Sequence, residues 1–295
     1  MHGLVVHLRR SGLLLAALLV LLGLAPSPDP GHLVIIGGGS RPAYMMEKIV
    51  ELAGGDACRM VVIPMASADP VDVARYQRGQ LEEAGCPDVS FVRFDSVTAN
   101  HDSIVAALDD ATGIFFSGGN QNRLTAHMLG TRMLERVRAI HREGGVLAGT
   151  SAGAAVMSEI MITGDEALRP DAEYPFTTIE RGNVVTAEGF GFVTRAIIDQ
   201  HFIARQRQNR LISVVLENPE LVGVGIDEST AIIISDPGEF QVFGDHTVMV
   251  IDASEATGIG TDADADADLV GHGLKLHLLG SGQRYDLVRR RVIQE

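Results

Sequence analysis

The chain has 295 residues, 46% of them apolar, with 33 glycines and a formal net charge of -14. That length suffices for a full core in one large or two modest domains. With four Tyr and no Trp there is no aromatic platform for stacking bases, and the negative charge repels a phosphate backbone, so no nucleic-acid partner is expected.

The first residues stand apart from the rest. His2, His7, Arg9 and Arg10 form a basic start, Leu13 to Leu24 an uncharged apolar run, and Ala25-Pro26-Ser27-Pro28 a small, proline-rich end. The run is short for a bilayer crossing, so residues 1–28 read as a secretory signal peptide, with an uncleaved anchor as the alternative. The expectation is an exported protein, periplasmic or extracellular, without a stable membrane partner once the leader is removed. A single α/β domain is expected over residues 31–293. In an oxidising compartment Cys58 and Cys86 could pair; two buried free thiols near strand starts are the other reading.

From Leu33 onward short apolar runs alternate with amphipathic stretches. Strands are expected at Leu33–Ile36, Arg59–Pro64, Ser90–Phe94, Gly113–Phe116 and Gly145–Ala148. Helices are expected at Tyr44–Ala53, Val71–Ala84, Ser103–Asp109 and Arg123–Glu143. This alternation predicts a three-layer α/β fold, a mostly parallel sheet with helices on both faces. Gly164 to Gly191 reads as loops over the ligand-binding edge, and Gln200 to about Glu217 as a helix. Val222–Ile226 and Ala231–Ile234 resume strand character, followed by hairpin-like segments at Val248–Ile251 and Leu274–Leu279. The intervening Asp262-Ala263-Asp264-Ala265-Asp266-Ala267-Asp268 reads as a solvated loop. It lacks the central glycine and terminal Glu of a calcium loop.

Ligands in such sheets bind at the carboxyl ends of the strands. Three small-residue turns fall there: Gly37-Gly38-Gly39, Ser117-Gly118-Gly119-Asn120 and Gly149-Thr150-Ser151-Ala152-Gly153. The last has the Gly-x-Ser-x-Gly form of a nucleophile elbow, which holds a serine hydroxyl out of the sheet and aims the next amide, that of Ala152, at a developing oxyanion. A serine nucleophile needs a base and an orienting acid. His201, at the switch from a β-branched run to a polar segment, is the strongest candidate for the base. For the acid, the chain order serine, acid, histidine allows Asp165, Glu166, Asp171, Glu173 and Glu188; Glu166, shortly after the helix that Ser151 opens, is the preferred candidate, with Glu173 as competitor. Arg205, Arg207 and Arg210 follow the histidine closely; at helical spacing Arg207 and Arg210 share a face and Arg205 lies off it, and the three guanidinium groups suit substrate carboxylates, while a solvated basic face is the other reading. No metal or organic cofactor is needed for this chemistry. The two cysteines lack His or Asp at zinc-ligand spacing.

Taken together, Gly37-Gly38-Gly39, Phe116-Ser117-Gly118-Gly119-Asn120-Gln121, Gly149-Thr150-Ser151-Ala152-Gly153-Ala154 and Asp199-Gln200-His201-Phe202 with its three arginines resemble the cyanophycinase family of serine peptidases. These are relatives of aspartyl dipeptidase with a class I glutamine-amidotransferase-like fold. Gly225-Ile226-Asp227-Glu228-Ser229-Thr230-Ala231 and the tail from Gly282 to Arg289 also resemble family segments, and the likeness runs from about residue 31 to 290. The resemblance implies Ser151 as nucleophile, His201 as base, and the amides of Gly119 and Ala152 as oxyanion hole. Gln121, Asp199, Gln200, Arg205, Arg207 and Arg210 would line the substrate pocket. The implied substrate is cyanophycin, a poly-aspartate chain bearing arginine on each β-carboxyl, cut to β-Asp-Arg dipeptides. Leu168 to Gly182 is only loosely matched. A related hydrolase for other aspartyl or isoaspartyl peptides, or a catalytically silent binding protein of the same fold, remains an alternative, and a homodimer is compatible with all three.

Overall fold

A computed structural model describes residues 30–260 and 268–294. The expected leader and Asp262 to Ala267 of the Asp-Ala repeat lie outside the described residues.

The first half alternates as expected. Strand β1 (Leu33–Ile36) is buried on both faces, and helix α1 (Ala43–Leu52) follows the glycine turn, burying Met45, Met46, Ile49 and Val50. After β2 (Arg59–Ile63), helix α2 (Pro70–Glu83) starts with Asp69 accepting from the Asp72 amide and a proline in its first turn, where no amide is missed. Strand β3 (Asp88–Phe91), the short helix α3 (Asp102–Val105) and β4 (Gly113–Phe116) come next. The long helix expected over 123–143 is two helices, α4 (Gln121–Met128) and α5 (Arg132–Arg142). Gly130 adopts φ 70° and Thr131 caps the second helix through the Leu134 amide, a stop followed by a start.

Strand β5 (Val146–Thr150) leads into Ser151 and a one-turn helix, α6 (Ala152–Ala155). The region expected as loops contains a hairpin, β6 (Ile160–Glu166) with β7 (Val184–Glu188). The helix expected from residue 200 starts later. Ala196–Gln200 is a fully buried strand, β8, and α7 spans Gln208–Glu217. His201 and Gln206 lie at φ 50° and 54°, and two left-handed residues interrupt any helix between them. Strands β9 (Val222–Ile226), β10 (Thr230–Asp236), β11 (Glu239–Gly244), β12 (Val248–Asp252), β13 (Lys275–Leu279), β14 (Arg284–Asp286) and β15 (Arg291–Ile293) complete the described chain.

The large sheet has the order β15-β14-β11-β10-β1-β5-β4-β2-β3. Its β1, β5, β4, β2 and β3 portion is parallel, and β10 adds the antiparallel extension. Helices α1 and α2 cover one face over Val34, Ile36, Val62 and Phe115. On the other face, α4 and α5 pack beside a second sheet, β13-β12-β9-β8. That sheet carries α7 on its far side, over Ile197 and Ile251. The expected three-layer α/β fold is thus present, with the second sheet sharing the middle of the molecule.

Cys58 and Cys86 form a disulfide, with Cα atoms 5.2 Å apart. They precede β2 and β3, and the register of these two adjacent parallel strands brings their starts together. Closing a loop of this length limits the unfolded chain, so reduction, or Cys58→Ser with Cys86→Ser, is expected to lower unfolding free energy by about 3 to 4 kcal/mol. Denaturant unfolding with and without a thiol reductant measures this; coincident curves would show that the crosslink contributes nothing.

Candidate active site

Ser151 sits where β5 meets α6, at φ 55° and ψ -111°, a conformation that L-residues adopt only under constraint. The flanking glycines make it feasible. A Cβ on Gly149 would lie 2.3 Å from the Gly153 carbonyl oxygen, and one on Gly153 would lie 2.4 Å from that of Phe116. The expected elbow is therefore also a point of backbone-to-backbone contact between β4, β5 and α6. The amides of Ala152 and of Gly119, which follows β4, have no backbone acceptor among the described residues.

The imidazole of His201 follows directly from β8. Its Nε2 lies 2.9 Å from Ser151 Oγ and its Nδ1 lies 2.6 Å from Glu228 Oε1. With the proton on Nδ1, the ring donates to Glu228 and accepts from the serine hydroxyl. Glu166, expected as the acid, does not take this place. Its side chain is buried in β6, where Oε1 accepts from Asn183 Nδ2 at 2.7 Å, and its competitor Glu173 is exposed. Glu228 comes after the histidine in the chain, in the three-residue link between β9 and β10. A chain order of serine, acid, histidine excludes it, although the Gly225–Ala231 segment resembles a family segment.

Three consecutive carbonyls at the end of β1 hold this arrangement. Ile36 O accepts from the Ser151 amide (3.0 Å), Gly37 O from that of His201 (2.6 Å) and Gly38 O from that of Ser229 (2.9 Å). Gly38 also lies under the imidazole: a Cβ there would come within 2.3 Å of the ring. Asp227 Oδ1 accepts from the amides of Ile203 and Ala204 at 3.1 and 2.9 Å, which ties the turn after His201 to the link carrying Glu228. Burial lowers the His201 pKa below the usual imidazole value, assisted by the Arg205 and Arg207 charges and opposed by the Glu228 hydrogen bond. The ring is therefore neutral, and able to accept a proton, at neutral pH.

Ser151 opens onto a cleft of about 810 Å³ whose lining includes Gly119, Gln121, Gln200 and the three arginines. Those arginines differ from one another. Arg210 is buried, and its Nε and Nη2 donate to the two carboxylate oxygens of buried Asp199; this pair is internally neutralised. Asp199 also accepts from the Gln200 amide at 2.7 Å, fixing the residue whose Oε1 lies 3.4 Å from Ser151 Oγ. Arg207 precedes α7 and donates to Gln200 O at 2.8 Å. Burial and the nearby Arg210 push its pKa down to about 10. Arg205 is exposed. Arg205 and Arg207, unlike Arg210, thus remain without a carboxylate partner at the cleft among the described residues. Gln121 spends its amide on the carbonyls of Ile162 (2.9 Å) and Thr163 (2.6 Å), so its nitrogen is committed to holding β6.

The model for peptidase family S51 matches residues 33–242. The chain is similar to the cyanophycinase of a Nostoc species, 34% identical over 275 residues that span 91% of this chain and 89% of the relative. It is similar to that of Geminocystis herdmanii, 34% identical over 260 residues, 86% of this chain and 92% of the relative. The crystal structure of a peptidase from an acI-B1 Actinobacterium has the same fold, with a TM-score of 0.63 at 22% identity over 87% of this chain and 97% of that one. A serine elbow facing a histidine in the matched region, with this extent of likeness, leads to one conclusion: the chain belongs to peptidase family S51 and is a serine-type peptidase.

Proposed function

We propose that the protein is an exported cyanophycinase that hydrolyses the arginine-bearing poly-aspartate chain to β-Asp-Arg dipeptides, using Ser151, His201 and Glu228. The observation that carries this reading is the hydrogen-bonded chain from Ser151 through His201 to Glu228, at a cleft where Arg205 and Arg207 remain to meet carboxylates. Similarity to several cyanophycinases supports the choice of substrate.

In this mechanism Ser151 Oγ attacks the peptide carbonyl carbon as its proton passes to His201 Nε2. Glu228 holds the ring in the required tautomer and stabilises the imidazolium. The carbonyl oxygen becomes an oxyanion facing the free amides of Gly119 and Ala152. The imidazolium then protonates the leaving amine as the C–N bond breaks, leaving an acyl-serine. Water, deprotonated by the same His201, attacks the ester and releases the acid and the free serine. The Cys58–Cys86 disulfide supports export, because such crosslinks persist in oxidising compartments.

Purified mature protein acting on insoluble cyanophycin, with mass analysis of the soluble products, tests the reading. Ser151→Ala is expected to remain folded and lose about 10⁴-fold or more in turnover; unchanged dipeptide release would sink the nucleophile assignment. Glu228→Gln is expected to cost about 10²- to 10⁴-fold, whereas Glu166→Gln should leave the chemistry far less affected. Equal losses in the two variants would return the acid to question.

The acid limb of kcat/KM should have its midpoint below the ordinary imidazole value, since burial and the two arginines disfavour the protonated ring. Removing a cation eases protonation, so Arg205→Gln should move that midpoint to higher pH. A shift downward, or none, would contradict the assignment of His201 as the titrating base.

A further inference from the structure

The cleft has two polarities. Arg205 and Arg207 supply positive charge, and among its described lining residues the only carboxylate is Asp165. This side chain is exposed and takes no hydrogen bond or ion pair among the described residues. Its position is built into the hairpin. Pairing of β6 with β7 runs through Ile162↔Thr186 and resumes at Glu166↔Val184, so Thr163, Gly164 and Asp165 stand opposite Val185 alone. Bulges of this kind turn a side chain out of the strand's normal alternation, and they recur beside active sites. Gly164 takes φ 99°, and the bulge is tied on both sides. Buried Gln121 donates to the Ile162 and Thr163 carbonyls. Thr163 Oγ1 donates to Val185 O at 3.1 Å and accepts from the Asp165 amide at 3.2 Å.

Tyr174 also lines the cleft, and it is 72% exposed. The segment carrying it is anchored two residues later. Phe176 lies 5.2 Å beneath the Arg210 guanidinium, and its carbonyl accepts from Asn209 Nδ2 at 3.1 Å. An unpaired carboxylate and an open aromatic ring on one cleft are the two groups that recognise a planar cation. We propose that Asp165 and Tyr174 form a subsite for the guanidinium of the substrate's arginyl branch, Asp165 accepting its N–H donors and Tyr174 offering its ring face. The inference rests on the reading of the substrate as an arginine-bearing aspartyl chain. It divides the labour in the cleft: Arg205 and Arg207 meet the carboxylates, and the bulged hairpin with the aromatic segment reads the cation.

The test compares short soluble β-Asp-Arg oligomers with the same oligomers carrying citrulline, which keeps the shape and removes the charge. Wild type is expected to prefer the arginine oligomer. Asp165→Asn should lower kcat/KM for that oligomer about tenfold, mostly through KM, and bring the preference toward unity; Tyr174→Ala should weaken it by a smaller factor. An arginine preference that survives at its wild-type value in Asp165→Asn overturns the subsite. A wild type that cleaves neither oligomer nor cyanophycin, while Ser151 still reacts with a serine-directed acylating probe, overturns the substrate reading and the subsite with it.

Discussion

Three neighbouring carbonyl oxygens at the end of β1 set the geometry on which the rest of the site depends. Each receives the amide of a residue from a different part of the chain: Ser151 after β5, His201 after β8, and Ser229 beside Glu228 in the link to β10. All three donors lie at positive φ, 55°, 50° and 51°, where a non-glycine residue costs on the order of 1 to 3 kcal/mol and persists only if its surroundings over-determine it. Consecutive carbonyls leave no slack between the segments they hold. The serine, the histidine and the acid are therefore spaced by β1 as much as by their own strands. The three glycines have related explanations: a Cβ on Gly37 would strike the Ile226 and Asp227 carbonyls, one on Gly38 the His201 imidazole, and one on Gly39 the Glu228 side chain.

Charge follows from this packing. Bringing His201 under cover disfavours its protonated form, and Arg205 with Arg207 does so further. The Glu228 contact works in the opposite sense and orients the ring. A third uncompensated guanidinium at Arg210 would add to the repulsion in a confined space, but Asp199 neutralises it inside the protein. A buried pair of this kind contributes less through net electrostatic stabilisation than through the geometry it imposes. Here it fixes the end of β8, where Asp199 also accepts from the Gln200 amide.

The two sheets contribute differently. Ser151 and the amides of Gly119 and Ala152 come from the parallel portion of the large sheet, where β4 and β5 end side by side. His201 comes from the second sheet, and Glu228 from the short passage between the two, β9 lying in one and β10 in the other. The site is therefore a junction between sheets, and the close contact of Gly225 with the Phe202 ring helps hold the second sheet's β9 against the turn that carries His201.

Residue pattern alone determined much of this. Apolar runs and glycine turns specified the alternating first half, the sheet edge onto which the cleft opens, and the serine elbow, because these depend on neighbours in sequence. His201 was readable as the polar residue ending a β-branched run. The split at Gly130-Thr131 carried a local signal too, a left-handed stop followed by a hydroxyl cap, that amphipathic continuity across it obscured. Tertiary structure decided what depends on distant partners. Glu228 rather than Glu166 meets the histidine because Ser229 bonds to Gly38, a contact spanning most of the chain. Cys58 and Cys86 meet because β2 and β3 are neighbours in register. Arg210 is spent on Asp199 because α7 packs against the second sheet, of which β8 is the edge, while Asp165 reaches the cleft because a bulge turns it there. Periodicity fixes which face of an element is buried; which charged group it then meets is settled only when the sheets are assembled.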